Sequence, residues 1–303
     1  MFSINGEIQF GGGDYRVIQS LLMRLCHTLK KPYLFVSTPA EGNTLINREI
    51  KFLNSSEKDK EKLINDLLDV TKQSLLPLAE LDWIKKDERA CYFVWASVQN
   101  FDFYAAPDHP TNPLMQNQPI TVANYRVLNL KANPSNSNER FDEIVKFIDR
   151  VFQPLEWQME LIEYFKKRWS SIYTSRRTLS WLNKNNEEQC RWAWEYINKP
   201  KLMGAGPSAY RLKPTGCYEM YLAIFAALDS WDGHLDSQRL FLIDFNKAWQ
   251  QKKHRDSRQG KKACNLVLRE EVKQKLDELA SSRGMKLNQI VEQLIENEYD
   301  NDN

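Results

Sequence analysis

The pattern of apolar and polar positions is mixed in the first part of the 303-residue chain. Tyr15 to Leu29 carries apolar residues at helical spacing, and Ser56 to Thr71 repeats that spacing in a charged background. Tyr33 to Ser37 and Ile120 to Leu130 have the composition of strands. The pattern therefore predicts a mixed α/β domain over residues 1–135, of unknown role.

Three further stretches shape this part of the chain. Ala90 to Val98 is an apolar run that periodicity alone cannot assign to a helix or a strand. Asp108 to Pro119 contains three prolines and is predicted to be a loop. The polar sequence from Asn133 to Asn138 is the clearest break and predicts a domain boundary.

After this break the apolar residues follow a period of 3.6. We predict a helical domain over residues 139–258 with a basic end, interrupted by a Pro- and Gly-rich connector from Lys199 to Gly216. The aromatic pair Trp192 and Tyr196, at i and i+4, is interpreted as helix packing. The predicted helices are Phe141 to Phe152, Leu155 to Trp169, Glu187 to Ile197, Cys217 to Trp231 and Leu235 to Lys253.

The last forty residues have the most regular pattern. Cys264, Leu266 and Leu268 alternate with Ala263, Asn265 and Val267, which predicts a short strand with the two sets on opposite faces. An amphipathic helix follows, with Glu270 and Glu271 in its first turn and Gly284 at the position of a C-cap. A second helix then carries apolar residues at the same spacing.

One strand and two helices cannot bury these apolar residues alone. The pattern predicts a two-fold dimer, with the two strands paired antiparallel and the four helices around one core. The residues expected in that core are Cys264, Leu266, Leu268, Val272, Leu276, Leu279, Ile290, Val291 and Leu294.

The order of strand, helix, glycine and helix over residues 261–303 resembles the ribbon-helix-helix family of MetJ-, Arc- and CopG-like DNA-binding proteins. It is most similar to members that organise a chromosome macrodomain. The resemblance implies a two-stranded ribbon in the major groove of DNA, without a cofactor. It also implies base contacts from Ala263, Asn265 and Val267, and phosphate contacts from Lys286, Leu287 and Asn288.

Elementary chemistry agrees in part with these assignments. The Asn265 side chain is suited to bidentate contacts with adenine, and Val267 to contact with a thymine methyl group. Amides in the first turn of a helix, here those of Leu287 and Asn288, are free to bind a phosphate. The side chains of Ala263 and Val267 cannot form hydrogen bonds with base edges, so much of the affinity for DNA is expected from phosphate contacts.

A basic run precedes the predicted strand. The net charge of the whole chain is only +2, so an electrostatic site for DNA must be local. We expect this run to neutralise phosphates in a salt-dependent way. Its members with assigned phosphate contacts are Lys252, Lys253, Arg255, Arg258, Lys261 and Lys262.

Composition argues against several other classes of protein. Five dispersed cysteines and four histidines show neither zinc-site nor catalytic spacing. The most apolar stretch, Met220 to Leu228, is too short to span a bilayer. We therefore expect a cytoplasmic, nucleoid-associated protein that binds double-stranded DNA with sequence preference, as a repressor or as a chromosome- or plasmid-organising factor.

Two alternatives stay open. Residues 1–135 are an effector or enzyme domain that the DNA-binding module targets or autoregulates, or the chain is an interaction scaffold dimerised by its C-terminal strand. Support for an enzyme is thin: Gly11 to Asp14 lacks the Lys and Ser/Thr of a P-loop. Asp102, Asp108 and His109 are close only in sequence.

Overall fold

The computed structural model describes most of the chain with side chains. These residues are 13–99, 125, 128–172, 179–199, 207, 212–231, 233–258, 260, 262 and 264–301, with backbone also for 2–4, 7–9 and 173–175. The chain forms two compact units, Met1–Asn246 and Lys247–Asn303.

Helices make up nearly all the regular structure of these residues. The helices are α1 (Tyr15–Thr28), α2 (Pro39–Lys51), α3 (Glu57–Ser74), α4 (Asp82–Lys86), α5 (Glu88–Gln99), α6 (Ser137–Arg150), α7 (Leu155–Ser175), α8 (Glu187–Ile197), α9 (Cys217–Asp229), α10 (Leu235–Asp256), α11 (Glu270–Arg283) and α12 (Leu287–Asn301), with a 3-10 turn at Leu78–Leu81. Helices predicted from periodicity in the middle of the chain are confirmed, and α8 has the predicted limits.

The predicted mixed α/β domain is wrong. Within the described ranges, the strands are β1 (Phe2–Ile4) and β2 (Glu7–Gln9), a short antiparallel hairpin that pairs Ser3 with Ile8. Everything regular from residue 13 onward in those ranges is helical. The expected loop at 108–119 lies outside the described residues, and of the expected strand at 120–130 only 125 and 128–130 are described, none of them in a strand.

The segment predicted as a strand at 33–37 is instead held by side chains of α1. Gln19, which is buried, donates from Nε2 to the Leu34 carbonyl at 2.9 Å and accepts from the Val36 amide at 2.9 Å. The Tyr15 hydroxyl donates to the Val36 carbonyl at 2.9 Å. These bonds satisfy backbone groups that a neighbouring strand satisfies in a sheet, so β-prone residues lie here without one.

Helices α1, α2 and α3 share a small apolar core. Ile18, Leu22 and Leu25 of α1 pack with residues of the other two helices, including Ile46 and Ile64. A Cβ atom added at Gly42 would lie 2.3 Å from the Ile18 Cγ2 atom. The close approach of α1 and α2 therefore requires glycine at this position.

The larger core of the first unit surrounds α5. Its residues Cys91 to Ala96 are all buried, so α5 shows no polar face and its sequence has no helical periodicity to read. The same core includes Leu76 and Phe245. It thus draws on residues both before and after the polar stretch at 133–138, which contains the N-cap of α6: the Asn136 side chain accepts from the Glu139 amide at 2.9 Å.

The aromatic residues of α8 pack inside this unit, as predicted. The Trp192 and Phe245 rings are stacked with centroids 5.7 Å apart, and the Tyr196 ring lies 4.9 Å from that of Phe245. These rings are therefore occupied in helix packing, where aromatic pairs stabilise the fold by about 0.5–1.5 kcal/mol each.

Candidate nucleic-acid interface

In the second unit, α11 and α12 form a helical hairpin that turns at Gly284. Gly284 has a left-handed backbone, with φ of 61°, and its amide donates to the Ser281 carbonyl at 3.3 Å. The Met285 amide donates to the Ala280 carbonyl at 3.0 Å, which satisfies another carbonyl at the helix end. The C-cap predicted at this glycine is confirmed.

The hairpin buries few of its own apolar side chains. Ala280 of α11 and Ile290 of α12 are buried, and the Arg283 guanidinium donates to the Gln293 side chain at 3.1 Å across the two helices. Of the residues expected in a dimer core, Leu276, Leu279 and Val291 are half-buried. The others are exposed on the single chain: Cys264, Leu266, Leu268, Val272 and Leu294.

The predicted two-stranded ribbon is wrong. Residues 264–269 form no strand in the structure, and all six are exposed. Alternation of side chains is necessary for a strand but not sufficient, because a strand also needs a second backbone to accept and donate its hydrogen bonds. No such backbone lies beside this segment within the described part of the chain.

The residues expected to contact bases lie on this exposed segment. Asn265 is exposed, and Val267 is fully exposed at 100% of its accessible surface. Ala263 lies outside the described residues. Asn265 and Val267 are thus accessible to a partner molecule, and their role in base contact stays a prediction.

The start of α12, where phosphate contacts are expected, carries a helix cap that was not predicted. The Lys286 amide donates to Gln289 Oε1 at 3.0 Å, so Gln289, the third residue of the helix, reaches back to the residue before it. In the described structure this leaves the Leu287 and Asn288 amides as the first-turn donors without an acceptor. The signal was in the sequence, since glutamine is a usual residue at that capping position.

The basic run lies at the end of α10 and just after it. Lys253, Arg255, Arg258 and Lys262 are exposed, as the prediction requires. Lys252 differs, because its ammonium pairs with the Asp256 carboxylate and lies 6.0 Å from the centroid of the Trp249 ring. Lys252 is therefore partly neutralised within its own helix. Lys261 lies outside the described residues.

Other chemistry receives no support from the described residues. They contain no cluster of His, Cys, Asp or Glu arranged to hold a metal ion. Asp102, Asp108 and His109 lie outside the described ranges. None of the described helices combines the length and the apolar character needed to cross a membrane.

Comparison of the chain with models of protein families, with curated proteins and with solved structures found no match. The resemblance to ribbon-helix-helix proteins therefore stays a prediction that rests on the residues of the C-terminal segment.

Proposed function

We propose that the chain binds double-stranded DNA as a homodimer through its second unit, and acts as a repressor or as a chromosome- or plasmid-organising factor. The observation that carries the proposal is the charge of the segment leading into the helical hairpin. From Lys247 to Arg269 there are eight lysines and arginines and a single acid, Asp256. The proposal does not include a β-ribbon.

The exposure of this segment supports electrostatic binding. Lys253, Arg255, Arg258 and Lys262 present their charges to solvent, where they are free to displace counterions from DNA phosphates. The acids of the hairpin begin directly after this segment and are spread over both helices: Glu270, Glu271, Asp277 and Glu278 in α11, and Glu292, Glu296, Glu298 and Asp300 in α12. Within the basic segment itself only Asp256 opposes the positive charge, and it is paired with Lys252.

The exposed apolar residues of the hairpin support pairing with a second copy. Leu294, Ile295 and Tyr299 are 43%, 64% and 70% exposed, respectively. Ala280 and Ile290 are the buried side chains of the two helices, which therefore gain little from packing, and helical stability in proteins comes mainly from such packing. A second hairpin against this face would bury the apolar residues and give the helices a shared core.

Two features support contacts of different kinds with DNA. Asn265 is exposed and carries the amide group that pairs with an adenine edge, which would add sequence preference. The Leu287 and Asn288 amides, beside the exposed Lys286, form a helix N-terminus suited to a phosphate. A phosphate there fixes the position of the protein on DNA without reading its sequence.

The proposal is tested by fluorescence anisotropy with a labelled genomic fragment library and a random duplex at two salt concentrations. We expect affinity to fall steeply with salt, and Lys286→Glu to weaken binding to all sequences. Asn265→Ala is expected to reduce sequence preference. Lys86→Glu, at an exposed lysine of α4, is the matched control and should leave binding unchanged. Equal affinities for the wild type, Asn265→Ala and Lys286→Glu would overturn the assigned contacts.

Dimerisation is tested separately by sedimentation velocity. Leu294→Glu places a charge on the proposed dimer face and should shift the protein to monomer. Val70→Glu on α3 is a matched control, because Val70 is 47% exposed against 43% for Leu294. A wild-type protein that dimerises but shows no DNA binding at low salt would refute the proposal and support an interaction scaffold instead.

A further inference from the structure

The first unit contains a polar cavity of about 480 Å³ that the proposed function does not use. Its volume lies in the range of sites for small molecules. It is bounded by α1, by the segment after Val36, by residues 129–131 and by α6. The polar side chains in its wall are Tyr15, Ser37, Lys131, Glu143, Lys146 and Arg150.

Most of the charged groups around the cavity are paired. The Lys146 ammonium lies 2.7 Å from Glu143 Oε1, and the Lys131 ammonium bonds to Glu139. Glu143 also accepts from the Lys131 backbone amide at 2.7 Å. The single carboxylate of the cavity wall is therefore already engaged by two donors.

Among the three cations in the cavity wall, Arg150 differs from Lys131 and Lys146 in having no carboxylate of the described residues within ion-pair distance. Its guanidinium is buried, and no carboxylate in the described structure lies within ion-pair distance of it. Nη1 donates to the Leu128 and Asn129 carbonyls at 2.7 and 2.8 Å, and Nη2 donates to the Tyr15 hydroxyl at 2.7 Å. The Phe35 ring centroid lies 4.8 Å from Cζ. All these hydrogen-bond partners are neutral, and the Asp149 carboxylate acts on Arg150 only through a weaker Coulombic attraction, without a hydrogen bond.

Two other arginines of the same unit show what is missing at Arg150. Arg16 and Arg89 each use the Nε and Nη2 edge to bind a carboxylate, Asp149 and Asp229 respectively, at 2.8 to 3.0 Å. The Nε atom of Arg150 has no hydrogen-bond partner, although it is buried. The carboxylate of Asp149, the neighbour of Arg150 in the sequence, forms its ion pair with Arg16.

A buried guanidinium without a carboxylate partner is costly, because hydrogen bonds to neutral groups replace only part of the hydration that the charge loses on burial. Arg150 is therefore the group most stabilised by an anion in the cavity. A carboxylate or a phosphate fits the guanidinium fork, because each offers two oxygens at the required spacing.

We propose that this cavity binds a small oxyanion, a carboxylate- or phosphate-bearing molecule, with Arg150 as its charge partner and Lys146 at its edge. The proposal is independent of DNA binding, because it concerns residues of the first unit alone. It gives the first unit a ligand-binding role, and the ligand adds the counter-charge that the protein does not supply.

Equilibrium dialysis of the full chain with radiolabelled phosphate or succinate, at constant ionic strength, tests the proposal. We expect saturable binding of one anion per chain. Lys146→Gln should weaken binding about tenfold, because it removes a charge beside the ligand. Glu143→Gln should strengthen it, because it removes the only carboxylate of the wall and keeps an oxygen for the Lys131 amide.

Loss of folding would weaken anion binding in both variants. Weaker binding in one and stronger binding in the other, from two nearly isosteric changes, therefore indicates a binding site. Lys86→Gln, which breaks an exposed ion pair on α4, is the matched control and should not alter binding. Binding of phosphate but not succinate, or the reverse, would identify which oxyanion the cavity prefers. Absence of saturable binding for both anions, or equal affinities in the Lys146 and Glu143 variants, would overturn the proposal.

Discussion

Arg140 of α6 and Glu219 of α9 form a two-pronged ion pair, with Nη1 and Nη2 at 2.7 and 2.8 Å from the carboxylate oxygens. The Arg140 side chain is fully buried, and its Cζ atom lies 3.9 Å from the centroid of the Tyr92 ring of α5. Burial raises the pKa of Glu219, against the opposing charge of Arg140. This one pair therefore joins α6 and α9 on either side of the central helix.

Removal of the carboxylate should destabilise the first unit strongly. Glu219→Ala leaves Arg140 charged and buried, and breaking a buried pair in this way costs about 3–5 kcal/mol. Urea unfolding followed by tryptophan fluorescence measures the loss. Asp82→Ala breaks the exposed Lys86 pair on α4 and should cost less than about 1 kcal/mol. Similar losses in the two variants would contradict a structural role for the Arg140 pair.

Stability in acid should depend on Glu139 at the start of α6. Its hydrogen bond from Lys131, followed by those from Ser135, lowers the pKa of its carboxyl to about 2. The unfolded chain takes up this proton near the ordinary value of 4.5, so the contribution is present above pH 4.5 and lost as pH falls toward 2. Glu139→Gln should therefore flatten the decline of the urea midpoint over this interval.

The exposed acid Glu80 offers a control for the acid experiment, since it lies in the 3-10 turn at Leu78–Leu81. Glu80→Gln removes the same charge from the surface of the same unit. An equal flattening in both variants would show that net charge, and not the hydrogen bonds of Glu139, sets the slope.

The turn between α11 and α12 should be sensitive to the residue at 284. An added Cβ atom at Gly284 meets no atom within 4 Å, so the cost of Gly284→Ala is conformational and should be about 1–2 kcal/mol. Asparagine enters the left-handed region more readily, so Gly284→Asn should cost less. Thermal unfolding followed by circular dichroism gives both values, and a cost for asparagine equal to that for alanine would refute the conformational explanation.

The thiols should differ in reactivity toward an alkylating agent. Burial raises the pKa of Cys91 to about 12, so its thiolate is scarce and enclosed, whereas Cys264 is exposed. Mass spectrometry after brief labelling should find Cys264 modified and Cys91 intact. If the proposed dimer covers Cys264, its labelling should slow as protein concentration rises. A rate independent of concentration across the dimer's dissociation constant would place this residue outside the interface.

Much of the helical content was predictable from the sequence. The period of 3.6 predicted both ends of α8 correctly, and the tolerance of glycine for left-handed backbone predicted the end of α11. Each signal depends on only a few neighbouring residues. The exposed basic end of α10 was also predictable, since charged residues in a run remain in solvent. The cap formed by Gln289 was equally local and was missed.

The sequence by itself thus predicted most of the helices that have a polar face, although not α2, and showed where the positive charge is concentrated. Only the tertiary structure decided the rest. It decided that α5 is a helix. The sequence left this open, because burial on all sides removes the periodicity that distinguishes a helix from a strand. It kept Tyr33 to Ser37 out of a sheet, because Gln19 supplies the hydrogen bonds from a distant turn of α1. It also left Arg150 without a carboxylate, since pairing across helices depends on their packing and not on sequence spacing.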